Sequence, residues 1–279
     1  MIGIALIYAT WPSAQGGGAW HTFANAAREA GLTRHLESAG FDVSEYVLEA
    51  DGAHAAELPG AFALSRRIGE QVAMSRACDL FPVVVCGSCA VAGLGVLSGL
   101  GGTGTGVVWM DAHADLNTPD TTLSGLFDGM ALATPLGLCW RAMARDISGL
   151  QPVSLGNICL YGAREIDPGE RALIDAEAIP VVHDAAGAVA SLEGCERVYL
   201  HLDMDVHDPS LLRANIFAAP GGPSPEALRD DLRTMTWQLP VAAFAVTAVD
   251  PSVAEAAAAI PCAIEHIVAV CESQKAVKC

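Results

Sequence analysis

Short, nearly continuous apolar runs recur along the chain, separated by longer stretches of mixed or helical patterning. Residues 2–8, 41–48, 82–86, 107–110, 158–161, 179–182, 197–202 and 241–249 read as strands buried on both faces, about eight in all. Between them, helices are expected over residues 21–39, 60–78, 90–100 and 130–138, and from Pro168 onward. Ser224 followed by Pro225 supplies an N-cap hydroxyl and a proline at the first helical position, so another helix starts there. A final helix closes the chain to about residue 272. Fully apolar strands alternating with helices imply a parallel sheet covered on both sides. Eight strands also suit a closed β/α barrel, and periodicity alone leaves both architectures open.

Composition narrows the class. An apolar fraction of 52% in 279 residues is ample for a large core, and no linker, repeat or low-complexity segment interrupts it, so residues 1–279 are read as one domain. A formal net charge of −17 would repel nucleic acid and anionic membrane surfaces, and neither is expected as a partner. No uninterrupted apolar stretch reaches the length of a spanning helix, and the apolar N-terminus lacks a basic leader and a small-residue cleavage site. The expectation is therefore a cytoplasmic protein. Nine cysteines, an odd number scattered through apolar sequence, fit reduced thiols better than a disulfide framework.

The chemistry gathers at two strand ends. The run from Val107 to Met110 delivers Asp111, His113 and Asp115, which share parity if the extended geometry continues past Asp111. The strand over residues 197–202 delivers His201, Asp203 and Asp205 in the same way. In an open α/β sheet such ends are where ligands bind. Paired carboxylates with few histidines suit a hard divalent cation such as manganese, and two such ends make a binuclear site. His201 reads either as a hydrogen-bonded structural histidine or as support for Asp203, and His207 has no assigned role. The Cys86-Gly-Ser-Cys89 segment, between a strand and a helix, has three readings: a redox pair, a metal thiolate, or two buried cysteines.

With these motifs in place the chain resembles the arginase/ureohydrolase family. The resemblance rests on Asp111-Ala-His113-Ala-Asp115, Asn117-Thr-Pro, Thr122-Leu-Ser124-Gly125, Arg164-Glu-Ile-Asp167-Pro-Gly-Glu and Asp203-Met-Asp205 with Asp208-Pro209, and covers residues 86 to about 252. It implies a three-layer αβα domain on a mostly parallel, roughly eight-stranded sheet, two manganese ions per chain, and hydrolysis of a guanidino group. Carried over by residue, Asp111 and Asp203 bridge both ions, His113 and Asp205 hold the second, and Asp115 and Cys89 hold the first. A water ionised between two cations is the nucleophile in such a site, and Asp115 is similar to the family's proton acceptor. Asn117, Thr122 and Ser124 match positions that contact an α-carboxylate, and Asp167 one that contacts an α-ammonium. The implied partner is a small amino-acid substrate. A chain that ends soon after a helix, without an extended tail, gives the expectation of a monomer.

Three departures from the family pattern bear on the substrate. Cys89 stands where a histidine ligand is expected, Asp128 where a proton-shuttling histidine is expected, and Ala248 where arginases place a glutamate facing the guanidinium. A fully charged guanidinium would meet no carboxylate at position 248, at considerable desolvation cost. An N-hydroxyguanidine is largely neutral and needs none. The expected reaction is cleavage of Nω-hydroxy-L-arginine to hydroxyurea and L-ornithine, which the resemblance connects to antibiotic (D-cycloserine) biosynthesis. The alternatives are another guanidino or formimino amino acid, a non-catalytic binding protein, and, more distantly, a thiol-disulfide oxidoreductase.

Overall fold

Eight strands form one sheet in the order β2-β1-β3-β8-β7-β4-β5-β6, every neighbouring pair parallel. They are β1 (Gly3–Thr10), β2 (Asp42–Glu49), β3 (Phe81–Cys86), β4 (Thr105–Met110), β5 (Ile158–Tyr161), β6 (Val181–Val182), β7 (Arg197–Asp203) and β8 (Val241–Thr247). This computed structural model describes residues 3–11, 18–50, 56–147 and 150–277; Ile2, part of the first expected strand, lies outside them. The sheet has two edges, β2 and β6, so it is an open three-layer αβα sheet and not a barrel.

The helices are α1 (Phe23–Glu29), α2 (Leu32–Ser38), α3 (Glu57–Ala77), α4 (Cys89–Leu100), α5 (Arg141–Ala144), α6 (Pro168–Glu177), α7 (Ala185–Ser191), α8 (Pro225–Gln238) and α9 (Ala259–Val277). Two apolar cores result. One packs α3 and α4 against Ile7, Val84, Trp109 and Tyr199 of the sheet. The other packs α1, α8 and α9 against Leu6, Val85, Val108 and Leu200 on the opposite face. Strands β1, β3, β4, β7 and β8 are buried almost throughout because both faces are covered, which is why they read as unbroken apolar runs.

Several expectations are corrected. The helix expected over residues 21–39 is broken at Gly31, whose φ of 87° is incompatible with a continuous α-helix. The helix expected over 130–138 is a chain of turns: the amides of Leu132 and Ala133 both donate to the carbonyl of Asp115, and Pro135 has no amide to donate. The strand expected over 179–182 shortens to two residues. α7, capped by Asp184, was not anticipated because its alanine-rich sequence carries almost no amphipathic signal. The absence of a spanning-length stretch also needs amendment. Ala254–Ala276 is apolar and long enough to span, with a mean hydropathy of 1.5, because scattered charged residues do not lower its average enough. Its α9 portion packs in the second core, with Ile267, Val270 and Cys271 fully or almost fully buried.

Candidate metal centre and active site

β3, β8, β7 and β4 are adjacent in the middle of the sheet, and their C-terminal ends deliver Cys89, Ala248, Asp203 with Asp205, and Asp111 with His113 and Asp115 to one cavity. The cavity is about 310 Å³. Asn117, Ser124, Asp128, Asp167 and Glu170 also line it, with Trp11, Trp20 and Phe217 as an aromatic wall. Trp20 and Phe217 stack with ring centroids 5.8 Å apart. Gly87 lets the β3–α4 turn pass against this wall, since a Cβ there would fall 2.1 Å from the Trp20 carbonyl oxygen.

The donors reach the cavity from turns, not from prolonged strands. β4 stops at Met110, and Asp115 adopts a left-handed backbone with φ 52°, so parity does not place it. Asp205 likewise follows β7 in a short 3-10 turn, where its amide donates to Asp203 Oδ1 at 2.7 Å. Ligand atoms of Cys89, Asp111 and Asp115 lie within 4.8 Å of one another, and so do those of Asp111, His113 and Asp205. Asp111 belongs to both groups, which is the placement a bridging carboxylate requires. Asp203 belongs to neither group, so its expected bridging position is not reproduced; its Oδ2 accepts a hydrogen bond from the Cys89 thiol at 2.9 Å, which ties it to the first group. His113 Nδ1 lies 3.1 Å from Asp111 Oδ1 and 3.4 Å from Asp205 Oδ2.

Electrostatically this crowd is unbalanced. Among the described residues, no Lys or Arg lines the cavity. Burial and the charge of Asp205 push Asp111 up to about 6. Burial followed by neighbouring carboxylates raises Asp115 and Asp203 well above the usual range. The Cys89 thiol is raised by burial and then by Asp203. Burial opposes the charged form of His113, but hydrogen bonds to Asp111 and Asp205 outweigh it and raise its pKa; the reciprocal bond holds Asp205 near 2 against burial. Four aspartates, a histidine and a thiol converging without a lysine or arginine fit two divalent metal ions, which would displace the thiol proton and neutralise the carboxylates.

Buried neighbours orient these donors. Trp109 Nε1 donates to Asp111 Oδ2 at 3.2 Å, and its ring stacks on His201 at 3.5 Å, the two being register partners on β4 and β7. His201 is fully buried and faces the Tyr199 hydroxyl at 2.7 Å and Thr247 Oγ1 at 3.3 Å. Thr247 Oγ1 in turn lies 3.1 Å from Cys89 Sγ. His201 therefore sits in a hydrogen-bonded chain that ends at Cys89, without itself reaching the donor cluster. Arg164 clasps the loop after β7, donating to the carbonyls of Gly162, Asp205, His207, Ala219 and Pro220. Cys86 is completely buried in β3, and burial pushes its thiol up to about 12, a setting unlike that of a reactive redox pair.

The recognition loop is placed unevenly. Asn117 is buried, its amide donating to Asp167 Oδ2 at 2.9 Å and its oxygen accepting from Thr121. Ser124 lines the cavity mouth. Thr122 does not line the cavity; its hydroxyl accepts from the Gly125 amide and lies 3.4 Å from Ser124 Oγ, an interaction that shapes the turn. Asp128 accepts from Ser88 Oγ at 2.5 Å and from the Ala90 amide at 3.0 Å, so its carboxylate is tied to the start of α4. Glu170, whose spacing from Asp167 is that of a capping box, accepts from the amides of both Asp167 and Leu116. Asn215 was not foreseen; it donates to the Ala248 carbonyl at 2.9 Å and approaches Asp205 Oδ2 at 3.4 Å. A lone asparagine in an irregular loop gives no sequence signal.

An open parallel sheet with a buried acidic cluster at its central strand ends is a setting suited to divalent cations. The arginase family profile matches residues 24–270, and the chain belongs to that family. It is 35% identical over 144 residues to the arginase of Bacillus subtilis, covering 47% of this chain and 48% of that protein. It is 36% identical over 126 residues to the Nω-hydroxy-L-arginine amidinohydrolase of Streptomyces lavendulae, covering 44% of each. These matches span about half the length of the relatives or less. Among solved structures, the Bacillus cereus arginase superposes with a TM-score of 0.88 over 97% of this chain and 98% of the other at 24% identity, which shows the shared fold.

Proposed function

We propose that the chain is a dimanganese ureohydrolase that cleaves Nω-hydroxy-L-arginine to hydroxyurea and L-ornithine. Ala248 carries this reading. It lies in the cavity wall, 6% exposed, with only a methyl group to offer and its carbonyl already taken by Asn215. A substrate whose guanidino group is already neutral meets no penalty there, whereas a guanidinium loses the facing carboxylate it would need.

Cys89, Asp111, Asp115 and Asp203 would hold one cation and Asp111, His113, Asp203 and Asp205 the other; together the ions supply Lewis acidity and ionise the attacking water. Asp115, raised by burial, would take a proton from that water and return it to the departing amine. The second amide hydrogen of Asn117 and the Ser124 hydroxyl receive the substrate carboxylate, Thr122 holds Ser124 in its turn, and Asp167 receives the ammonium. We assign this cytoplasmic activity to hydroxyurea supply in antibiotic biosynthesis of the D-cycloserine type. A parallel assay of L-arginine and Nω-hydroxy-L-arginine with manganese tests it: strong preference for the hydroxylated substrate is expected, reduced in Ala248→Glu. Comparable turnover of both by the wild-type protein refutes the argument from Ala248.

A further inference from the structure

Outside the cavity, a second cluster of ligating side chains is buried between the loop after β7 and α9. His207 stands two residues beyond Asp205, and Cys262 and His266 stand one helical turn apart on α9. His207 Nε2 lies 3.1 Å from His266 Nε2, which lies 3.3 Å from Cys262 Sγ. All three donor atoms fall within 4.8 Å of one another, and all three residues are buried. We propose that His207, Cys262 and His266 form a separate metal site for a zinc-class divalent cation, with solvent as the fourth ligand.

Four observations converge on it. Ligand distances of about 2.0–2.1 Å for nitrogen and about 2.3 Å for sulfur put the donors of a tetrahedral ion roughly 3.3–3.6 Å apart, close to the separations seen. The i, i+4 spacing of Cys262 and His266 puts both side chains on one face of the helix. His207 Nδ1 lies 3.1 Å from the carbonyl oxygen of Pro223; donating there leaves the Nε2 lone pair directed at the cluster, the arrangement that fixes a ligating imidazole. Nitrogen and sulfur donors without a carboxylate also select a softer ion than the acidic centre does. Bound there, the ion would tie α9 to the loop that begins at Asp205.

Cobalt titration of the chelator-treated full-length protein distinguishes the two thiol-containing centres. In Cys89→Ser, which removes the thiolate of the acidic centre, cobalt should still raise a sulfur-to-cobalt charge-transfer band that saturates at one equivalent. Cys89→Ser/Cys262→Ser should lose it. A folded Cys89→Ser protein without the band, or a band that survives in the double variant, overturns the site and leaves a hydrogen-bonded trio only. Zinc stoichiometry provides an arm independent of Cys89: after dialysis, His266→Gln should retain one equivalent less zinc than the wild-type protein, with circular dichroism confirming that both are folded. Equal zinc content in the two folded proteins also overturns it.

Discussion

Replacing Thr247 by valine removes one hydroxyl from the middle of the sheet while keeping shape and strand preference almost unchanged. That hydroxyl touches three groups: the Leu202 carbonyl at 3.1 Å, His201 Nε2 at 3.3 Å and Cys89 Sγ at 3.1 Å. Thr247 and His201 are both fully buried, so no water replaces it. With the Tyr199 hydroxyl donating to His201 Nδ1, the Nε2–H donates to Thr247 and the threonine proton is shared between the Leu202 carbonyl and the Cys89 sulfur. Valine leaves two buried polar groups unpaired at about 1–3 kcal/mol each, offset by roughly 0.8 kcal/mol for the methyl gained. The net expectation is a loss of about 1–5 kcal/mol, read from the urea midpoint at constant m-value. The thiol also loses the neighbour that fixes its direction, so manganese affinity at the first position should fall by about tenfold. A loss below roughly 0.5 kcal/mol with unaltered affinity would falsify the view that this buried chain orients Cys89.

Arg164→Ala should destabilise the fold by about 2–4 kcal/mol and weaken manganese binding, because the carbonyls of Asp205, His207 and Ala219 lose a charged donor; Arg164→Lys should recover little, since one ammonium cannot match the fork, and full recovery in denaturation and metal titration would count against the clasp. His201 is held neutral by burial, with its pKa lowered to about 3. Its folded pKa is below the unfolded value of about 6.5, so its contribution is complete above that pH and declines as pH falls toward 3. The stability difference between wild type and His201→Gln should therefore change by about 1.4 kcal/mol per pH unit below pH ~6, and a flat difference would contradict it. Cys89→His removes a negative charge beside the attacking water, so the acid limb of the rate–pH profile should move to lower pH; unchanged metal content with an unchanged profile excludes a liganding role for Cys89.

The sheet was readable because its inner strands are covered on both sides, and a run such as Val107 to Met110 can be little else. Asp111, His113, Asp203 and Asp205 were legible because each sits within three residues of such a strand, whereas Cys89 came forward as a donor only through the family resemblance. Asp115 was found for an incomplete reason: its left-handed backbone, not strand parity, turns it inward. What stayed hidden depends on long-range contact. Nothing local distinguishes Asn215, Thr247 or Phe217 from ordinary loop and strand residues, and Asp128 reads as a free carboxylate until Ser88 and the start of α4 are brought against it. The turns over 130–138 likewise depend on the Asp115 carbonyl arriving from another segment.

The placement of β8 bears on how the protein comes to be assembled. It is the last strand in chain order, yet it lies between β3 and β7 in the centre of the sheet. Until it emerges during synthesis, β3 and β7 each present an unpaired apolar edge, the kind of surface through which nascent chains associate wrongly. Insertion of residues 241–247 joins an N-terminal half-sheet to the remaining strands, and the seam runs directly through the donor cluster, with Cys89 on one side and Asp203 on the other. No fragment lacking β8 can hold the complete centre, and a metal captured there late would clamp the wedge in place.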